Sequence, residues 1–260
     1  MEEIAKKLKD CTVLHCDETS IRVNKEKQCL HTASNGEATY NTIHQSRGQS
    51  GTDDNGVLKE FSGTAVHDCW QVYFKYEDCV HALCNAHLLR ELQGVIDNTG
   101  QAWAREMQEL LREIKEVVER YKDNDKEELS TYYDKKFTSE YERILRLGYE
   151  ENPQKEGEKK RTKARCLLDR FIKYRDEIFR FAEDFEVPFD NNQAERDIRN
   201  VKVKQKVSGG FRSDDGAKNF GKISSVIGTA LKQGLSAFGT VSGILSGAMT
   251  SLFQKLNVTE

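Results

Sequence analysis

Three carboxylates in this chain stand where acids are costly unless they work together. Asp17 lies in TVLHCDETSIRV, Asp68 in GTAVHDCWQVYF and Glu195 in PFDNNQAERDIRNVKVKQK. The aspartates follow the apolar pairs Val13-Leu14 and Ala65-Val66, which places each toward the end of a buried strand. Mg²⁺ takes oxygen ligands in octahedral geometry, commonly one or two carboxylates completed by substrate phosphates. A pair of such ions about 3.5 to 4 Å apart can stabilise both the attacking and the leaving oxygen of an in-line displacement. Three acids from separate elements suffice to hold them, so the chemistry suggested is metal-assisted cleavage of a phosphodiester. Each acid also has an ordinary explanation, Asp17 and Asp68 as strand-end carboxylates capping turns and Glu195 as the partner of Arg199 in a surface pair, although a carboxylate among Val66, Cys69 and Trp70 is costly to bury without a partner. Those explanations weaken jointly, because one order of elements places all three at one site.

The surroundings of Glu195 supply the cations. Asp190 and Gln193 form a capping-box pattern that starts a helix after Pro188, and Glu195 then shares a face with Asn192 and Arg199. Arg196, Arg199, Lys202, Lys204 and Lys206 follow, against the single acid Asp197. The formal net charge of −3 gives no global attraction to nucleic acid, so this local distribution is what counts. A second cluster, Lys159, Lys160, Arg161, Lys163 and Arg165, reads as a solvated helix face.

These residues need a scaffold of mixed type. Residues 11–23, 27–34, 37–46, 64–73 and 78–84 read as strands, with Asn35-Gly36 turning the second into the third. Residues 47–56 read as a loop, followed by a short helix near Val57. From Ala86 the spacing is helical, with helices over 128–147 and 163–185 separated by a linker at 148–157. After Glu195 the pattern predicts a short extended stretch over 201–207, then helices over 214–233 and 235–256. The organisation expected is a core of 1–99, a helical insertion of 100–186 and a core completion of 187–260.

Composition narrows the class. With 260 residues, 32% of them charged, and two prolines, the chain suits a compact helix-rich fold rather than a disordered one. No apolar run is long enough for a membrane span, and the opening MEEIAKKLKD is not a signal peptide, so a cytoplasmic location is expected. Seven scattered cysteines read as reduced thiols. Cys79, His81, Cys84 and His87 are packed strand residues rather than zinc ligands on their spacing, and His15 and His67 are core histidines beside the aspartates. The glycine-rich segments carry no phosphate-binding loop pattern.

As a set, CDETSIRV, VHDCWQVYFKY, CNAHLLREL and FDNNQAERDIRNVKVKQKVSGGFRS resemble the bacterial insertion sequence 66 family of DDE transposases. The resemblance runs from about residue 10 to 240 and implies an α/β, RNase H-like mixed sheet of five strands with flanking helices and a helical insertion before the last acid. It implies Asp17, Asp68 and Glu195 as catalytic and metal-binding triad, Mg²⁺ or Mn²⁺ as cofactor, and hydrolysis of DNA to a 3′ hydroxyl that then attacks a target phosphate. Arg196, Arg199, Lys202, Lys204 and Lys206 become DNA contacts, with transposon ends and target as partners, a homo-oligomer on DNA and accessory transposition proteins. Cys84, Ala86, His87 and Arg90 match the family's Cys-x-Ala-His-x-x-Arg element, with Asn85 where many members have Trp. Family members carry an amino-terminal DNA-binding region; this chain opens close to the first catalytic strand, and terminal-repeat recognition is expected to be missing. Two other classes fit the same residues, a noncatalytic DNA- or protein-binding remnant and an RNase H-like nuclease or resolvase.

Overall fold

The computed structural model describes residues 1–153, 161–249 and 251–253. Its strands are β1 (Val13–Val23), β2 (Glu26–Ser34), β3 (Thr39–His44), β4 (Thr64–His67) and β5 (Val80–Leu83). The helices are α1 (Glu2–Lys9), α2 (Gln49–Asn55), α3 (Asn85–Thr99), α4 (Ala102–Lys122), α5 (Thr131–Glu151), α6 (Lys163–Lys173), α7 (Arg175–Glu183), α8 (Asn192–Ser208), α9 (Asp214–Lys232) and α10 (Ala237–Leu245). The five strands form one mixed sheet in the order β3-β2-β1-β4-β5, with β1 to β3 an antiparallel meander and β4 parallel to β1. That is an RNase H-like α/β arrangement. The chain divides into two compact units, Met1–Val80 with Asn191–Glu260, and His81–Asp190.

In the first unit, the β1–β2 turn is made by Asn24 and Lys25, both at positive φ (51° and 69°). Two positive φ values give the turn whose twist suits a two-residue hairpin. Asn35 works differently: its side-chain oxygen accepts from the backbone N–H groups of Glu37 and Ala38, closing the β2–β3 connection. The segment expected to be a loop over 47–56 is largely α2, bounded by Gly48 and by Gly56 in the left-handed conformation. The fourth strand stops at His67, well short of residue 73, and a 3₁₀ turn follows at Tyr73–Lys75.

β1 alternates between two buried faces. Leu14 and Cys16 join a core with Leu58, Phe61, Ala65 and Tyr73; Ile21 and Val23 point the other way, into a core with Leu30, Ile43, Ile198 and Val201. The last two belong to α8, which corrects the extended stretch expected at 201–207. The alternating VKVKQKV mimics a strand, but burying Ile198 and Val201 on one helical face leaves Val203 and Val207 in solvent at 55% and 83% exposure.

α9 seals the sheet edge. β3 is an outer strand, and its Thr39 and Asn41 N–H groups donate to Thr229 Oγ1 (3.1 Å) and Ser225 Oγ (2.8 Å). Gly228 eases this approach, since a Cβ there would meet Thr39 at 3.3 Å, tighter than an ordinary contact. A sheet edge covered in this way offers no row of open donors to another chain.

The second unit is helical, with Trp103, Phe137, Tyr141 and Phe171 fully buried. The expected linker at Gly148 proves to be helix: α5 continues to Glu151, and Gly148 is where Leu168 packs so close that a Cβ would meet its Cδ2 at 2.4 Å. Glu151 then caps α4 by accepting from the N–H groups of Ala102 and Trp103. Of the second basic cluster, Lys159 and Lys160 lie outside the described residues.

Candidate active site

The parallel pairing of β1 with β4 matches Val13 to Thr64, Leu14 to Ala65 and His15 to Val66. Continued two residues, the same register sets Asp68 level with Asp17. β1 runs on to Val23, so Asp17 stands in mid-strand rather than near its end, whereas Asp68 immediately follows β4. Successive side chains alternate, which sends Asp17 to the same face as His15 and Thr19 and Glu18 to the opposite one.

Glu195 is brought to that face by α8. The helix cap is Asn191, not Asp190, and it makes no side-chain capping bond. Its amide is used on β1 instead, with Nδ2 donating to the Cys16 carbonyl (2.8 Å) and Oδ1 bonded to His15 Nδ1 (2.8 Å). Because the carbonyl demands the NH₂ end of the amide, the oxygen faces the ring and His15 Nδ1 is the protonated nitrogen. Asn191 is 1% exposed, so this link is shielded from water. Glu195, in the first turn of α8, is thereby held near the middle of β1.

The electrostatics record the result. Burial raises the Asp17 carboxyl to about 7, the neighbouring Glu18 charge adds to this, and the fields of Asp68 and Glu195 push the same way against the relief of a hydrogen bond from the Glu18 N–H (2.8 Å). Asp68 turns one oxygen to the Trp70 N–H (2.9 Å).

Glu18 is a further acid whose importance was not read from the sequence. Its side chain is 1% exposed, Arg47 donates to it through Nε (2.9 Å) and Nη2 (2.6 Å), and the Tyr73 hydroxyl donates to its other oxygen. Arg47 in turn stacks over the Trp70 ring at 4.5 Å. The segment after Asp68 is thus tied to β1 on the face away from Asp17. The available signal was alternation: Glu18 falls on the Leu14-Cys16 face, where a carboxylate requires a partner. His67 is fully buried, stacked on Tyr73 at 4.7 Å and edge-on to Phe74, a packed histidine as its apolar context suggested. The Cys79 thiol donates to the Tyr76 carbonyl, and Asn85 is bonded to the Ile178 and Phe189 carbonyls.

Residues 1–219 match the transposase IS66 family. The chain belongs to that family. No curated protein matches it. A transposase takes DNA as its partner, and in this IS66 chain α8 carries a row of exposed cations. Arg199, Lys202 and Lys206 follow Glu195 at helical spacing along one stripe, with Arg196 beside them, and all four are exposed. Lys204 differs, being half-buried with its ammonium over the rings of Phe211 (5.3 Å) and Phe220 (5.4 Å). The one acid in this run, Asp197, turns to Lys232 at 2.7 Å, and both side chains are nearly buried. Its charge is therefore compensated within the fold and does not oppose the basic stripe. Among the described residues no helix is long and apolar enough to cross a membrane.

Proposed function

We propose that this IS66-family chain is a DDE transposase catalytic core in which Asp17, Asp68 and Glu195 hold divalent metal and cut and rejoin DNA. The observation that supports the reading is the condition of Asp17, a half-buried carboxyl level with Asp68 in the β1–β4 register, whose ionisation is opposed by desolvation first, by Glu18 next and in smaller measure by Asp68 and Glu195. Such a cluster is unfavourable in itself and becomes favourable around a hard cation, and an all-oxygen donor set selects Mg²⁺ or Mn²⁺. When bound, the metal supplies Lewis-acid stabilisation of the oxygens exchanged at phosphorus.

The chain's own residues orient and hold. Asp17 on β1 and Asp68 just past the end of β4, level in the extended register, present their carboxylates together, and Glu195 closes the set from α8. Asn191 fixes the helix against β1, while Glu18, Arg47 and Tyr73 fix the segment that carries Asp68. Arg196, Arg199, Lys202 and Lys206 draw the DNA backbone to this face, and Lys204 braces α8 on Phe211 and Phe220. Hydrolysis that leaves a 3′ hydroxyl and attack of that hydroxyl on a target phosphate use the same acids and need no covalent protein intermediate. The protein acts in the cytoplasm, as a multimer on paired transposon ends.

Titration calorimetry with Mn²⁺ in the presence of a DNA duplex tests this, comparing the intact chain with Asp68→Ala and Glu195→Ala. Loss of metal binding in both variants is expected. Binding unchanged in either would mean that the acids do not share a site, leaving a noncatalytic remnant. Cleavage of branched or hybrid substrates without strand transfer would instead indicate a nuclease or resolvase.

A further inference from the structure

Beyond the acids, β1 borders a polar groove of about 470 Å³ lined by Thr19, Ser20, Arg22, Lys202, Gln205 and Lys206. β4 pairs with β1 only as far as His15, so β1 beyond that point has a free edge on this side. Arg22 directs its carbonyl to that edge, where the Phe211 N–H donates to it (2.7 Å), and the Phe211 carbonyl accepts from the Asn24 N–H (2.9 Å). Backbone polar groups alternate along an antiparallel strand, so Ser20 directs its N–H and carbonyl to the same edge, inside the groove.

One end of the groove is closed by a tight fit. α8 stops at Gly209 in the left-handed conformation (φ 72°), and Gly210 at φ 141° lies so near Arg22 that a Cβ would meet its carbonyl oxygen at 2.7 Å. The wall and the floor are therefore pinned to each other by the chain itself. The lining residues include Gln205, two lysines and an arginine and no carboxylate; on β1, Thr19 points to the α8 side, while Ser20 and Arg22 border the groove from the strand edge. Three cations outweigh the partial negative charge at the end of α8.

We infer that this groove is a seat for a DNA backbone phosphate, between the edge of β1 at Thr19, Ser20 and Arg22 and the Lys202 and Lys206 side of α8. The assignment rests on the reading that DNA is processed at the acids of β1. Ser20 lies three residues from Asp17, about 10 Å at 3.4 Å per residue, which matches the rise of about three base pairs. The seat thus holds the strand a few nucleotides from the bond that the acids address and fixes which phosphodiester reaches them.

The test measures fluorescence anisotropy of a labelled 30-base-pair duplex in EDTA, from 50 to 200 mM KCl, with no metal at the acids. For Arg22→Ala combined with Lys206→Ala, we expect affinity at 100 mM KCl to fall about 10-fold or more and the slope of log K against log salt to flatten by about 2. Arg22→Lys should retain the slope, and Lys59→Ala, a remote exposed lysine, should match the parent chain. Unchanged affinity and slope in the double variant, with an unaltered melting temperature, would overturn the assignment. So would stabilisation of the parent chain by inorganic phosphate that the double variant loses while keeping full DNA affinity, since the groove would then take the free ion only. Failure of the acid triad would appear in metal binding and leave this measurement untouched.

Discussion

Asn191 is bonded to His15 across 176 positions of sequence, its side-chain oxygen 2.8 Å from Nδ1, while its NH₂ group donates to the next carbonyl of the same strand, that of Cys16. The residue that begins the Glu195 helix therefore holds the strand that carries Asp17. Asn191→Ala leaves a buried carbonyl and a ring nitrogen without this partner, and urea unfolding should show a loss of about 2 to 4 kcal/mol. Asn191→Asp should do no better, because a carboxylate cannot donate to Cys16 and adds charge beside the acids. Mn²⁺ affinity should fall in both variants, even though Asn191 is not an acid of the triad.

Asp17 should make the metal-free protein less stable as pH rises. Its folded-state value near 7 exceeds the unfolded value near 3.8, so the folded state binds more protons between those limits. Stability from this group is complete below about 4, declines up to about 7 and is level above, by up to about 4 kcal/mol for a shift of this size. Asp17→Asn removes the ionisation and should raise the melting temperature at pH 8 in EDTA. The same variant should lose the stabilisation that Mg²⁺ gives the parent chain; a variant melting no higher than the parent would show that Asp17 is not strained.

Arg47 neutralises a carboxylate that has little access to water. Arg47→Ala leaves Glu18 with Tyr73 as partner, and denaturation at pH 7 should register a loss of about 2 kcal/mol, less than for a fully buried pair because Arg47 itself is half exposed. Trp70 emission should shift as the guanidinium leaves its ring. Arg47→Lys should restore only part of the stability, because an ammonium cannot form the two-pronged bond or the flat stack.

The hydroxyls of α9 should matter more than their size suggests. Ser225→Ala strips the Asn41 N–H of its acceptor at a fully buried position, which should cost about 1 to 3 kcal/mol. Hydrogen exchange at the Asn41 amide should accelerate, and the Thr229→Val variant should do the same at Thr39. Exchange unchanged at both would mean that another group protects the β3 edge.

The sequence by itself determined the element types and the core faces wherever local periodicity and burial agree. The meander before Asn41, the long helices after Ala86 and the alternation around Asp17 are of this kind, because a strand or helix face is written at fixed spacing in the chain. It also carried the family, since four motifs in one order fix a topology that none fixes alone. Local pattern failed where a tertiary surface overrode it. VKVKQKV alternates like a strand and is a helix because Ile198 and Val201 fill a pocket over Ile21 and Val23; Gly148 looks like a break and is a contact point for Leu168. Only the tertiary structure showed that Asn191 spends its amide on β1, that Glu18 is neutralised by Arg47, and that Lys204 rests on two phenyl rings while Lys202 and Lys206 border an open groove. Residue type names a charge or a donor, but its partner comes from segments remote in the chain, and the register of β1 against β4 and α8 is what selects it.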